Sequence, residues 1–247
     1  MLEVSSLTRR FPGCARAALD GVSFRVEKGE CVVVSGANGS GKSVLMHLIA
    51  GLDAPTSGSV SIGKVDGREA RVGLVFQDAD AQILGDTVEE DAAFGPLNLG
   101  FPPARARELA HEAIARVALV PLMKAPARTL SGGEKRRLAV AGILAMEAEI
   151  IVFDEPYANL DWPGVLQVNG VVKDLKKAGK TVIVLTHELE KVLALANRLI
   201  VLFEGTLAYD GTPEDAVSGR VALESWGIRN PLGRYDSWED LVWDQNA

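Results

Sequence analysis

Residues Gly36 to Ser43 read GANGSGKS, directly after the apolar run CVVVS and directly before VLMHLIA. Little else constrains a fold as tightly: an apolar run, a glycine-rich turn and a Lys-Ser pair require strand, sharp loop and helix in that order. The glycines let the backbone bend so that successive N–H groups converge on an anion. The helix N-terminus that follows adds a favourable dipole. Lys42 is a point charge for β- and γ-phosphates, and Ser43 offers a hydroxyl to a Mg2+ ion that keeps most of its waters. Gly36, Asn38, Gly39, Ser40, Gly41, Lys42 and Ser43 are therefore the expected phosphate-binding set.

Short runs rich in Val and Ile recur: VVVS at 32–35, VGLVF at 72–76, IIVF at 150–153, TVIVL at 181–185 and LIVLF at 199–203. Such runs fit strands buried on both faces, several of them parallel. Helical patterns lie between them, so the expected fold class is α/β. The first sixty residues alternate and turn more tightly, in VSSLTRRF, LDGVSFRV and SGSVSIG, which predicts a small antiparallel sheet. From Thr87 to about Met146 strand signals fade and helix dominates, as in PARARELAHEAIARVALV. Thr87-Val88-Glu89-Glu90 is a capping box that starts a helix. This segment, about 87–146, reads as a helical subdomain inserted into a body spanning 1–215, with a tail at 216–247. Thr212-Pro213-Glu214 starts a further helix, and Trp226, Trp238 and Trp243 follow it. Those rings either pack the tail on the body or meet a dimer or partner surface.

The balance of residues narrows the function. Apolar residues are 47% and charged residues 24%, ordinary for a soluble globular chain. A net charge of −7 argues against a nucleic-acid binder, which needs a basic face. Cys14 and Cys31 make no disulfide framework and fit a reduced, cytoplasmic setting. The opening MLEVSSLTRRFPG lacks the apolar centre of a secretory signal, and the longest apolar helix candidate, LAVAGILAM, stops at Glu147. Any work at a membrane is expected to run through a partner.

Ile150-Ile151-Val152-Phe153-Asp154-Glu155 is an apolar strand ending in two acids. Beside a phosphate loop, the first suits the Mg2+ shell, and the second suits a general base facing an attacking water, worth roughly 10²–10⁴ in rate.

Together, GANGSGKS, Gln77 after VGLVF, LSGGE at 130–134, IIVFDEP, NLD at 159–161 and His187 after TVIVLT closely resemble the ATP-binding-cassette (ABC) ATPases, over the chain to about residue 215. The resemblance implies a P-loop NTPase fold with a RecA-like parallel-sheet core, an N-terminal antiparallel β-subdomain and an inserted α-helical subdomain. It implies ATP and Mg2+ as cofactors and ATP hydrolysis as the activity. It implies that two subunits, identical or paralogous, pair head to tail around two ATP molecules. Ser131, Gly132 and Gly133 of one chain then complete the site begun by the other chain's phosphate loop. A helix start is an anion site, which suits that role. Ser131 with Glu134 also forms a capping box, and one role does not preclude the other.

Residue by residue, the resemblance implies catalytic roles for Glu155, His187, Gln77 and Lys42. Ser43, Gln77 and Asp154 attend the metal. Gln77 senses the metal and water, His187 touches the γ-phosphate, and Asp161 belongs to a loop that crosses the dimer interface. Phe11, in RRFPG, stands where the family places an aromatic under adenine; stacking and packing in the small sheet are both open. His47 is expected to pack within the phosphate-loop helix, and His111 to be solvated. Tyr157-Ala158-Asn159 and Glu134 depart from the commoner family pattern.

Residues 75–101, VFQDADAQILGDTVEEDAAFGPLNLGF, with LSGGEKRRLAVAGILAM, resemble the energy-coupling-factor importers, particularly the cobalt- and nickel-type ATPases. That branch implies a peripheral subunit on the cytoplasmic face of the membrane, an integral T component and a separate solute-binding S component. Val88, Ala92, Ala93 and Phe94 either line a groove for the T component or pack the subdomain. The alternatives are a non-transport ABC mechanoenzyme acting on nucleic acid or ribosomes, and a stand-alone P-loop kinase or switch. The first usually brings a second cassette, a long coiled coil or a basic surface. The second leaves LSGGE and His187 unexplained.

Overall fold

The computed structural model describes residues 2–233. In chain order it runs β1 (Leu2–Arg9), β2 (Leu19–Val26), β3 (Cys31–Ser35), α1 (Lys42–Ile49), β4 (Ser57–Ile62), β5 (Lys64–Val65), β6 (Arg68–Glu69), β7 (Val72–Val75), α2 (Val88–Asn98), α3 (Pro103–Arg116), α4 (Gly132–Ala145), β8 (Ile150–Asp154), α5 (Trp162–Lys177), β9 (Thr181–Leu185), β10 (Arg198–Phe203), β11 (Thr206–Gly211) and α6 (Pro213–Val217).

Six strands form the main sheet in the order β11-β10-β3-β9-β8-β7. All neighbours are parallel except β11, which pairs antiparallel with β10. The five apolar runs are its parallel strands, and β3 is buried at every position. Period-two geometry then sorts one run onto two cores. Cys31 and Val33 face a core with Phe153, Val184 and Val201, whereas Val32 and Val34 face another with Val152, Ile183 and Leu202. A strand covered on both faces has no polar face to alternate with, so its sequence reads as continuously apolar.

On one face lie α1 and the antiparallel sheet β2-β1-β4, through Leu2, Val22, Phe24, Leu45 and Ile49. On the other lie α5 and the helical segment between β7 and β8. Its helices α2, α3 and α4 share that core through Ala92, Ala110, Ile114, Leu138 and Ile143. The capping box at Thr87 is present, with Glu90 N–H donating to Thr87 Oγ1 and Thr87 N–H donating to the Glu90 carboxylate. Both cysteines are free; Cys31 is buried, and burial pushes its thiol up to about 11. Among the described residues no helix is long and apolar enough to cross a membrane.

Candidate nucleotide site

The C-terminal ends of adjacent parallel strands open onto one edge of the sheet, where ligands of such sheets sit. The phosphate loop leaves β3 there, Asp154 ends β8, and His187 follows β9. At Gly41, φ is 106° and an added methyl would come within 2.5 Å of the Ala18 carbonyl oxygen, so only glycine fits where the loop turns into α1. Lys42 is the first residue of α1 and is buried. Its Nζ donates to the carbonyls of Gly36 at 2.7 Å and Ala37 at 3.2 Å, and lies 3.8 Å from Glu155 Oε1. Burial pulls the ammonium below the ordinary lysine range, against the opposing pull of Glu155 and Asp154.

Glu155 holds a left-handed backbone, φ 42°, rare for a side-chain-bearing residue and costing of order 1 kcal/mol. Its N–H donates to Leu185 O at 2.8 Å, which ties the strained turn to β9. Both its carboxylate oxygens lie 3.1 Å from His187 Nδ1. Lysine, glutamate and histidine from three elements thus meet beside the phosphate loop.

Asp154 is half-buried, and its Oδ1 is enclosed with no protein hydrogen-bond partner. Burial pushes its carboxyl above the ordinary range; Glu155 adds to this, and His47 and Lys42 oppose it. An enclosed, unpaired carboxylate oxygen is chemically suited to a hard divalent cation. Ser43 is exposed at the same helix start. The residues present fit Mg2+.

Ser131 caps α4: Glu134 N–H approaches Ser131 Oγ at 3.4 Å, and Ser131 N–H and Oγ both donate to Glu134 Oε2, at 2.8 and 2.7 Å. The capping box is real, and Ser131 and Gly132 still stand exposed. Asp161 caps α5 by accepting from Gly164 N–H at 3.0 Å. Gln77, Gly132, Lys135, Arg136 and Asn159 line one cleft. Ser131 and Asp161 line another beside it.

Three side chains outside the expected set hold the Gln77 loop. Gln82 is a clasp: its Oε1 accepts from Phe76 N–H at 3.2 Å, and its Nε2 donates to Leu74 O at 2.8 Å. Arg136 Nη2 donates to Gln77 O at 3.3 Å, and Lys135 pairs with Asp80. The helix started by Ser131 therefore grips the loop that carries Gln77.

Other expectations divide. Phe11 is 38% exposed with the Arg9 guanidinium 4.7 Å over its ring, so it lies outside both cores. His47 is exposed, not packed, because it points away from the apolar face that Leu45, Leu48 and Ile49 bury. His111 is partly buried, with Nε2 2.6 Å from Glu89 Oε1. Of the α2 apolar set, Val88, Ala92 and Ala93 pack the core, whereas Phe94 is 43% exposed near exposed Leu97. Trp226 leans on Tyr209; Trp238 and Trp243 lie outside the described residues.

Comparison with known proteins agrees with this fold. A family model described as "ABC transporter" matches residues 19–158. The energy-coupling factor transporter ATP-binding protein EcfA of Methanocaldococcus jannaschii is 40% identical, over 94% of this chain and 86% of that one. The solved structure of cbiO1 from Clostridium perfringens, part of the ABC transporter complex cbiONQ, superposes with a TM-score of 0.76 at 29% identity, covering 93% of this chain and 95% of that one. A dimeric post-hydrolysis structure of the ATP-binding cassette MJ0796, bound to ADP and Pi, gives 0.72 at 27% identity, covering 86% and 99%.

Proposed function

Because the chain belongs to the ABC transporter ATPase family, we propose that it is the ATP-hydrolysing subunit of an energy-coupling-factor type importer, working as a head-to-tail dimer beneath a membrane partner. The observation that carries the catalytic part is the junction of Lys42, Glu155 and His187 at the mouth of the phosphate loop.

ATP phosphates sit on the N–H groups of Gly36–Ser43, and Lys42 turns from the loop's carbonyls to the β- and γ-phosphates. Glu155 takes the proton of the attacking water as the γ-phosphorus–oxygen bond to ADP breaks. His187 orients that carboxylate and reaches the γ-phosphate. Mg2+, held by Ser43, Asp154 and Gln77, would neutralise phosphate charge. Phe11 lies under the adenine. Ser131, Gly132, Gly133 and Asp161 serve the nucleotide of the second copy, and the exposure of Ser131 and Gly132 at the start of α4 and of Asp161 at the start of α5 supports this.

The T component docks on the helical segment through exposed apolar side chains, for which the exposure of Leu84, Phe94 and Leu97 is the support. The chain then sits on the cytoplasmic face of the membrane, and the cargo, a cobalt or nickel ion or a vitamin, binds a separate S component.

The test is Glu155→Gln. With saturating Mg-ATP, turnover falls by roughly 10²-fold or more, while size-exclusion chromatography shows an ATP-dependent dimer. A variant that stays monomeric, alone and with a candidate paralogue, contradicts the sandwich.

A further inference from the structure

The phosphate loop is braced from outside its own strand and helix. From the β10–β11 turn, Gly205 N–H donates to Ser40 O at 3.2 Å. A second brace comes from the tail. After α6 the chain makes a short helical turn, Leu223–Trp226, ended by Gly227 in the left-handed region at φ 71°. Gly227 N–H donates to Glu224 O at 3.0 Å, and Ile228 N–H to Leu223 O at 3.1 Å. Leu223 and Ile228 are buried in the core shared with α5 and the helical segment. Trp226 lies 6.4 Å, centroid to centroid, from Tyr209 of β11, and Asn230 Nδ2 donates to Val217 O at 3.2 Å.

These anchors deliver Gly227 onto the nucleotide loop. A methyl group added there would lie 3.2 Å from the Cβ of Ala37, the second residue of GANGSGKS. The loop beyond it, Asn38 and Gly39, is exposed. A glycine-rich loop loses backbone freedom when it closes on phosphates, and a fixed backstop lowers that cost.

We propose that the Leu223–Ile228 turn positions the phosphate loop, so that the C-terminal segment sets ATP affinity through the Gly227–Ala37 contact. This rests on Gly36–Ser43 holding ATP. The tail then has a task at the nucleotide site beyond covering the body.

The test uses the full chain, a fluorescent ATP analogue with Mg2+, steady-state kinetics and thermal unfolding. Gly227→Val forces both the left-handed backbone and Ala37. Its Kd and KM are expected to rise about tenfold, with kcat at saturation held within about twofold. Adding Ala37→Gly removes the methyl that the introduced valine side chain displaces. The pair should recover most of the affinity relative to Ala37→Gly alone, without recovering Tm, because the φ strain persists. Unchanged Kd in Gly227→Val, or no recovery in the pair, overturns the proposal. If Gly227→Val does not fold, Trp226→Ala loosens the anchor without touching φ at the neighbouring glycine; a raised Kd supports the contact and an unchanged Kd overturns it. Lys42→Ala separates the two ideas. Wild-type affinity in that variant sinks the phosphate-loop reading itself, whereas lost affinity there with full affinity in Gly227→Val sinks only the tail's role.

Discussion

At position 157 the loop after the acidic pair carries a tyrosine. Its ring is fully buried, and burial pushes the phenol pKa up. The hydroxyl donates to Asn169 Oδ1 at 2.7 Å, and Asn169 Nδ2 donates to Lys191 O at 2.8 Å. Tyr157 therefore ties the approach to Asp161 onto α5 and the segment after β9. Tyr157→Phe leaves a partly buried acceptor unpaired, which costs about 1 kcal/mol; denaturant unfolding should show a lower midpoint with an unchanged m-value. Residues whose chemistry is local were legible in the sequence: a glycine-rich turn, two acids ending a strand and a histidine after one are each visible within a few positions. His47 was not, because on a helix of eight residues one position's facing depends on which neighbours the sheet happens to cover.

Elements add contacts that periodicity does not encode. Gln82 bonds Phe76 N–H of its own loop and Leu74 O of β7, and a side chain that bonds backbone in this way follows no repeat. Its signal was there only as a second glutamine five residues after Gln77. Gln82→Ala frees the loop at Phe76 and should lower kcat severalfold while KM for ATP stays near wild type, because the phosphate loop is untouched; a change confined to Tm reduces Gln82 to packing. Glu89 of α2 is a second case. It is buried among His111 at 2.6 Å, Arg107 at 3.6 Å and Lys124, so α2 is tied to α3 and the segment after it. The hydrogen bond from Lys124, then that from His111, holds its carboxyl down at about 2. A depressed carboxylate stabilises the fold above its unfolded value and loses that stability as pH falls. The stability gap between wild type and Glu89→Gln should thus be full above pH 4.5 and close as pH falls toward 2. A gap independent of pH removes the ion cluster as its cause.

Across the whole molecule, the main sheet separates two tasks. One core joins the sheet to α1 and the antiparallel sheet beneath the phosphate loop; the other joins it to α5 and the helices that carry Ser131 and the exposed Phe94. The strand pattern made this layering legible, since the apolar runs are the buried strands. The proposed pairing of Ser131's corner with another copy was legible only through resemblance, because the two halves of one such site would lie on different chains. A mixed dimer purified through two different tags tests that pairing most directly. When one copy carries Ser131→Arg and the other Glu155→Gln, both lesions fall in a single composite site, and about half of the ATPase activity should survive. When one copy carries both substitutions and its partner is unaltered, both sites are hit and activity should vanish. The opposite pattern, with activity surviving only when both substitutions share a chain, would mean that Ser131 serves its own chain's nucleotide and that the crossed arrangement is wrong.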